Sequence, residues 1–527
     1  MIDFFVSIAH HKTEIEFNRE YEQITREING LYFNLVYCKG CDVRLYESKS
    51  KIFLTDANPT LIDENELRNY LCNGHYKDIP GFFTILTMDF STGLFTLVND
   101  RFASQEIYYS SNNDLFTAFS DFKHAFEVCD HKPKINFIGL NEFLNLGHTN
   151  APNTILESVF KLSAASVLHR TSTQLDLIRY FDFFDEFNIK QKSFHSNFSE
   201  TSKQFEVAVF SNLKHLAANS TATILLSSGM DSSYLAIKAK EIYEEVDALT
   251  IGQQLGDERY NEANESSAVS KLIGISQDIK YIDFNYIEKS IDTLLDLYPE
   301  LFGDTAQITV LRMAQSATKG IDYVCGEGVD SLLFSSKDDA KSVLKIFNRS
   351  KLIGELLCKS IDQTLEPNKL RTAQELYVNE WECVMPSFLR KTNAIFSAYG
   401  LRVIFPYLDA NILSVCFGLP DDFKKREEKS KYLLRNILNK YIPYDSLALH
   451  KRGAGVPVHK YLIKYGKQSF DIYFDEKRIQ KQGIFDYAKI REILLYFFRD
   501  EQYNGVKLHG LVWRLFLFQK WYDRYIR

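Results

Sequence analysis

The stretch Leu225-Leu226-Ser227-Ser228-Gly229-Met230-Asp231-Ser232-Ser233 decides how the rest of the chain is read. Thr223, Ile224, Leu225 and Leu226 form a short apolar run, the mark of a buried strand, and Tyr234, Leu235, Ile237 and the alanines around them suit a following helix. The pattern predicts a strand passing through a small-residue loop into a helix that starts at the serines. Free N–H groups and the positive dipole end of such a helix favour a phosphate, and the Ser227, Ser232 and Ser233 hydroxyls add donors. Asp231 stands where a carboxylate can hold magnesium. Taken alone, the same turn also fits an ordinary capped helix start. The chain has no Gly-x-x-x-x-Gly-Lys-Ser/Thr, which disfavours γ-phosphate transfer on a P-loop.

Composition sets wide limits around this loop. With 527 residues and 45% hydrophobic content, the chain can bury large cores, and its length predicts two or three domains. A net charge of −7 gives no reason to expect nucleic acid or an anionic membrane as a partner. Met1-Ile2-Asp3-Phe4-Phe5 lacks the basic region and long apolar core of a signal peptide, and no run of about 18 apolar residues occurs. A soluble cytoplasmic protein is expected. Among eight scattered cysteines, Cys38 and Cys41 form the one C-x-x-C, and the twelve histidines show no ligand-spaced cluster. No structural metal is expected.

Up to about residue 190 the chain is rich in alternating β-branched and aromatic segments. Phe82–Met88 and Leu94–Val98 flank Asp89-Phe90-Ser91-Thr92-Gly93, and Gln105–Tyr109 and Leu115–Phe119 flank Ser110-Ser111-Asn112-Asn113-Asp114; both pairs read as hairpins. From about residue 200 helices alternate with short apolar strands, which predicts a mainly parallel sheet covered by helices. Val209, Leu213, Leu216 and Ala217 lie at helical spacing before the serine loop, and Val246–Gly252 is a second strand whose end lies beside that loop. Asp322-Tyr323-Val324-Cys325-Gly326-Glu327-Gly328-Val329-Asp330 reads as a strand ending in glycine-flanked carboxylates. Such a pair serves as magnesium ligands, or as a base and a ligand.

These segments, in this order, carry a resemblance. The serine loop is similar to the SGGxDS pyrophosphate loop of the N-type ATP pyrophosphatases, the group containing asparagine synthetases, β-lactam synthetases and lasso-peptide macrolactam cyclases, with Ser228 in place of the first glycine. Gly326–Ser331 resembles the GEGxDE motif, with Ser331 replacing the final glutamate. Phe388–Asn393 with Phe405-Pro406-Tyr407-Leu408-Asp409 resembles the helix and PFLD segment framing the acceptor pocket. Lys431–Arg435 and Lys451–Pro457 resemble the KYLLR helix and the K-x-G-x-G-V-P loop. The block around Asp100-Arg101, running through Leu140–Leu144 and Ser158–Leu162 to Arg179–Asp182, resembles the N-terminal glutaminase domain of asparagine synthetases.

The resemblance implies an α+β sandwich of the N-terminal-nucleophile hydrolase type over 1–190, followed by an α/β parallel-sheet ATP-pyrophosphatase domain over 200–527. It implies ATP and Mg2+ as cofactors. Leu226, Ser227, Ser228, Gly229, Asp231, Ser232, Ser233, Ile251, Gly326 and Lys431 would bind the nucleotide, and Asp231 and Asp330 would hold magnesium. Glu327 would act as general base on the incoming amine, with Lys451 stabilising the adenylate and departing pyrophosphate. Asp304 and Arg402 would lie at the substrate pocket.

Two departures narrow the expected activity. An amidotransferase of this type needs an N-terminal cysteine whose free amine is the base, but residue 2 is Ile2 and the Asn-Gly-Glu glutamine segment is replaced by Leu54–Thr60. Glutamine hydrolysis is not expected. Before Pro406, Arg402 takes the family's glutamate position, Ile404 its arginine position, and Asn393 replaces an aspartate, so the acceptor pocket reads as reworked. The expected function is an AMP-forming amide synthase that adenylates a carboxylate, preferentially closing a ring as a lasso-type macrolactam or β-lactam-like enzyme. A precursor peptide and a leader-peptide-cleaving protein are the partners this implies. Amidation of aspartate or a sugar uronate with free or partner-supplied ammonia, and a non-catalytic binding protein, remain alternatives.

Overall fold

In the computed structural model, described throughout except at residues 1–2, 11–20, 29, 39–42, 57–62, 113, 130–132, 196, 257–260, 335–348, 360–377, 428 and 448–454, the amino-terminal part builds two six-stranded sheets. The first runs Phe160–Lys161, Tyr108–Ser111, Leu115–Phe119, Phe4–Ala9, Leu31–Cys38, Tyr21–Ile28; the second runs Leu175–Arg179, Ser166–Arg170, Leu94–Asn99, Thr84–Asp89, Lys51–Thr55, Arg44–Glu47. Alternation along the strands explains their stacking. Phe4, Val6 and Ile8 face Leu54, Leu86, Phe95 and Leu97 in an inter-sheet core, while Phe5 points the other way into the core shared with the rest of the chain. On the outer face of the second sheet, Phe53, Ile85 and Val98 pack on Leu67 of the helix Glu64–Cys72. The expected hairpins differ only at their ends: Leu86 pairs Leu97, and Tyr109 pairs Ala118 on a strand that starts at Tyr108 rather than Gln105.

The carboxy-terminal part holds a five-stranded sheet in the order Ser276–Ile282, Glu245–Gln253, Thr221–Leu225, Asp322–Val324, Arg402–Ile404, with every neighbouring pair parallel. Thr221–Leu225, the strand before the serine loop, is central, and the helix Phe198–Leu216 precedes it. All five strands therefore deliver their carboxyl ends to one edge, where ligands of open α/β sheets bind. The helix Met385–Ala398 enters through a π-helical turn at Glu380–Val384 and leads to the last strand.

The two parts share one continuous apolar core. Phe82 packs on Phe405, and Trp381 packs on Phe102 and Phe183. The helix His509–Tyr525 ties both parts together: Trp521 Nε1 donates to the Pro299 carbonyl at 2.6 Å and Arg514 Nη1 to the Leu144 carbonyl at 2.9 Å. Among the described residues no helix is long and apolar enough to cross a membrane.

Candidate active site

The serine loop leaves the central strand and starts the helix Met230–Ala239, with Gly229 at its N-cap. Its amides are already engaged: Ser227 N–H donates to Ser232 Oγ at 3.1 Å, Gly229 N–H to Ser227 Oγ at 3.0 Å, and Ser228 N–H to Glu262 Oε2 at 3.4 Å. Ser233 Oγ donates to the Gly229 carbonyl at 2.7 Å. Two tyrosines brace the loop, Tyr444 OH on the Ser228 carbonyl at 2.8 Å and Tyr407 OH on the Asp231 carbonyl at 2.9 Å. Ser228 is not among the residues with positive φ, so the side chain in place of a glycine meets no backbone penalty. Leu226 and Ile251 are buried at the ends of adjacent strands, Leu226 N–H donating to the Leu249 carbonyl.

The neighbouring loop sits directly against this helix start. A Cβ on Gly326 would lie 3.2 Å from Asp231 Cβ and from Ser232 N. At Gly328 φ is +105°, and a Cβ would come within 2.5 Å of Leu408 Cδ2. Both glycines are thus required for the approach that brings Asp330 and Asp231 together. Between those carboxylates lies Lys431, 5% exposed, with Nζ 2.5 Å from Asp231 Oδ2 and 2.7 Å from Asp330 Oδ1. Lys431 takes a left-handed φ of 52° at the N-cap of the helix Tyr432–Leu438, which aims it inward. Burial opposes its charge, but Asp231 and then Asp330 outweigh burial and hold its pKa above the ordinary lysine value. The two carboxylates already converge on one cation position, and two hard oxygen donors suit Mg2+.

A second charged group lies beside the first. Glu327 Oε1 is 3.0 Å from Lys391 Nζ, and the same ammonium is 3.4 Å from Asp304 Oδ2. Lys391 is 5% exposed and, against burial, Glu327 and Asp304 keep its pKa above the usual value. Burial and then the Glu327 charge push the Cys325 thiol up to about 12, so it stays protonated and unreactive. Gly455, at the end of the second glycine loop, accepts from Gln253 Nε2 at 3.3 Å, and Val456 N–H donates to Thr305 Oγ1 at 3.2 Å. Gly455 and Val456 therefore sit against the strand end and the neighbour of Asp304. Lys451 lies outside the described residues.

Arg402 is a correction to the sequence expectation. It begins its strand, opposite Asp322, and so lies at the amino edge of the sheet, away from the loops. There it forms an ion pair with the fully buried Asp322 at 2.5 Å and donates to the Leu216 carbonyl at 2.8 Å. Asn393 also turns away, donating to the Ser104 carbonyl of the amino-terminal part at 2.8 Å. Ile404 is buried at the carboxyl end of its strand. Ser331 donates to Glu380 Oε1 at 2.8 Å, so a carboxylate from the π-helical turn reaches the position where the motif's final glutamate is missing. Lys391, Tyr407, Tyr444 and Glu380 are the site residues that sequence reasoning left without a role. Lys391 and Tyr407 stood inside quoted motifs, whereas Glu380 carried no signal.

Known families match both parts of the chain. The asparagine synthase family model matches residues 210–523, and the glutamine amidotransferase domain model matches residues 65–181. The glutamine-hydrolysing asparagine synthetase 1 of Bacillus subtilis is 21% identical over 482 residues, 79% of this chain and 74% of its own. Asparagine synthetase 3 of the same organism is 18% identical over 70% of this chain and 66% of its own. A solved glutamine phosphoribosylpyrophosphate amidotransferase of B. subtilis aligns at 6% identity over 56% of this chain and 67% of its own, with a TM-score of 0.17, too low to carry an argument.

Proposed function

We propose, from the premise that the chain belongs to the asparagine synthase family, that it closes an amide bond within its own substrate rather than amidating one with ammonia from glutamine. The family's chemistry makes it an ATP-dependent carbon–nitrogen ligase that forms AMP and pyrophosphate. Magnesium and ATP, when bound, supply the leaving group and neutralise its charge. Asp231 and Asp330 would hold the metal, and Lys431 the pyrophosphate beside it. Leu226, Ser227, Ser228, Gly229, Ser232, Ser233, Ile251 and Gly326 would frame the nucleotide. Lys451 would contribute a further cation where negative charge develops. Glu327, its Oε1 held by Lys391, would take the proton of the attacking amine.

The acceptor side separates the readings. A buried Ile404 stands at the strand end where an arginine is usual, and Arg402 and Asn393 both turn to structural partners. A pocket without those groups suits a larger substrate that brings its own amine, which supports ring closure of a precursor peptide delivered by a leader-cleaving protein. The replacement of the Asn-Gly-Glu glutamine segment by Leu54–Thr60 supports an amino-terminal domain that would then hydrolyse no glutamine. The names of the relatives favour a second reading, amidation of aspartate with ammonia. Product mass distinguishes the two. Ring closure predicts a precursor peptide lighter by one water in the presence of Mg-ATP and no asparagine from aspartate plus ammonium; asparagine formation with an unchanged peptide mass refutes ring closure.

A further inference from the structure

Lysine side chains usually keep their ammonium in water. Lys391 does not, and the amino-terminal domain holds it where it is. Its Nζ lies 3.0 Å from Glu327 Oε1, 3.4 Å from Asp304 Oδ2 and 4.8 Å above the Phe388 ring. Its carbonyl accepts from Tyr298 OH at 2.6 Å. The preceding Arg390 is buried and reaches across the domain boundary, Nε lying 2.8 Å from Glu106 Oε2. It also donates to the Glu300 carbonyl. Glu106 is fixed in turn by Lys161 at 2.7 Å and by Tyr108 OH. On the other arm, Gly303, next to Asp304, donates its N–H to the Gly147 carbonyl of the amino-terminal domain at 2.6 Å. Both carriers of the clamp are therefore fastened to the same neighbouring domain.

Resting on the reading of Glu327 as proton acceptor, we infer that Lys391 is a positioning residue: it occupies Oε1 of Glu327 so that Oε2 receives the amine proton, and the amino-terminal domain serves the reaction by holding Lys391 through Arg390 and Glu106. In that step the amine nitrogen forms a bond to the acyl carbon. The bond from that carbon to the AMP oxygen breaks, its electron pair leaving with AMP, and the proton passes from nitrogen to Oε2. Lys391 itself transfers no proton, because Glu327 and Asp304 keep it charged.

The test separates the two half-reactions in the full-length chain. Exchange of labelled pyrophosphate into ATP needs activation alone; hydroxylamine, already neutral at pH 7, captures the activated acyl group without a base; the natural amine needs Glu327. With whichever of aspartate or precursor peptide supports AMP formation, Lys391→Met is expected to retain exchange and hydroxamate formation within about twofold while amide formation falls about 100-fold, the lower end for loss of general-base action. Lys391→Arg, which keeps the charge, should recover at least about tenfold of that loss. Should Lys391→Met not fold, Glu106→Gln, which loosens Arg390 from the amino-terminal domain, should show the same split in weaker form. Exchange falling in parallel with amide formation, or amide formation unchanged, overturns the inference. A wild-type chain forming no AMP with either substrate overturns the underlying reading instead.

Discussion

Lys431→Met removes one ammonium while keeping most of the stem. In the structure that ammonium is 2.5 Å from Asp231 Oδ2 and 2.7 Å from Asp330 Oδ1. At an effective dielectric of about 20, each contact is worth roughly 6 kcal/mol of gross attraction, largely offset by desolvation. Removing one partner from a buried ion pair costs about 3–5 kcal/mol, because the charges left behind have lost both water and partner. The Asp330 side chain is 59% exposed and regains water, whereas that of Asp231 is 20% exposed. The lower end, about 3 kcal/mol, is therefore expected. Two carboxylates with no cation between them also repel, so Mg2+ should stabilise the variant more than the wild type. Calorimetric unfolding with and without magnesium reads both effects. Titration with inorganic pyrophosphate in magnesium should show affinity lower by roughly 10- to 100-fold, the value of one charge-assisted hydrogen bond. A variant that unfolds with the wild type, gains no more from magnesium and binds pyrophosphate undiminished would refute the placement of Lys431.

Gly328→Ala combines a φ of +105° with a Cβ 2.5 Å from Leu408; a loss of about 2–4 kcal/mol in urea unfolding is expected, and adding Leu408→Ala should not recover the backbone part. Arg402→Leu should cost about 3 kcal/mol by leaving the buried Asp322 without its guanidinium, while the Michaelis constants for AMP formation stay at wild-type values because the pair lies at the opposite edge of the sheet. Burial, and then the cation Lys161, push the buried His148 imidazole down to about 4. The unfolded chain takes up this proton near the ordinary value of 6.5 and the fold refuses it until about 4, so stability contributed by the neutral ring is complete above that window and is lost as pH falls through it, by about 3 kcal/mol. His148→Gln should flatten unfolding midpoints between those pH values; an unchanged slope refutes the assignment.

Much of this was legible from residue types. The apolar run before Ser227, the glycines around Glu327 and the hairpin of Phe82–Met88 with Leu94–Val98 all express local rules that the fold obeys. Strand ends were less legible: Gln105–Ile107 has strand character but the ladder starts only at Tyr108, because the segment after the buried Asp100 first wraps that carboxylate, which accepts from the Phe102 and Ser104 amides. Arg402 misled because similarity fixes a position along a strand and says nothing about which buried group claims the side chain; Asp322, fully buried beside it, claims the guanidinium. Lys391 stood inside a quoted motif without a role of its own, and Glu380 had no signal. Each meets its partner across 64 and 49 residues of sequence, through a helix packing that periodicity does not encode.

The measurement that bears most directly on the account is the nucleotide product formed from Mg-ATP by the purified chain, assayed with aspartate plus ammonium, aspartate plus glutamine, and a candidate precursor peptide whose carboxylate carries oxygen-18. The account predicts AMP and pyrophosphate in equal amounts, labelled oxygen in the AMP, and no turnover that depends on glutamine. ADP and phosphate, or AMP free of label, would contradict it.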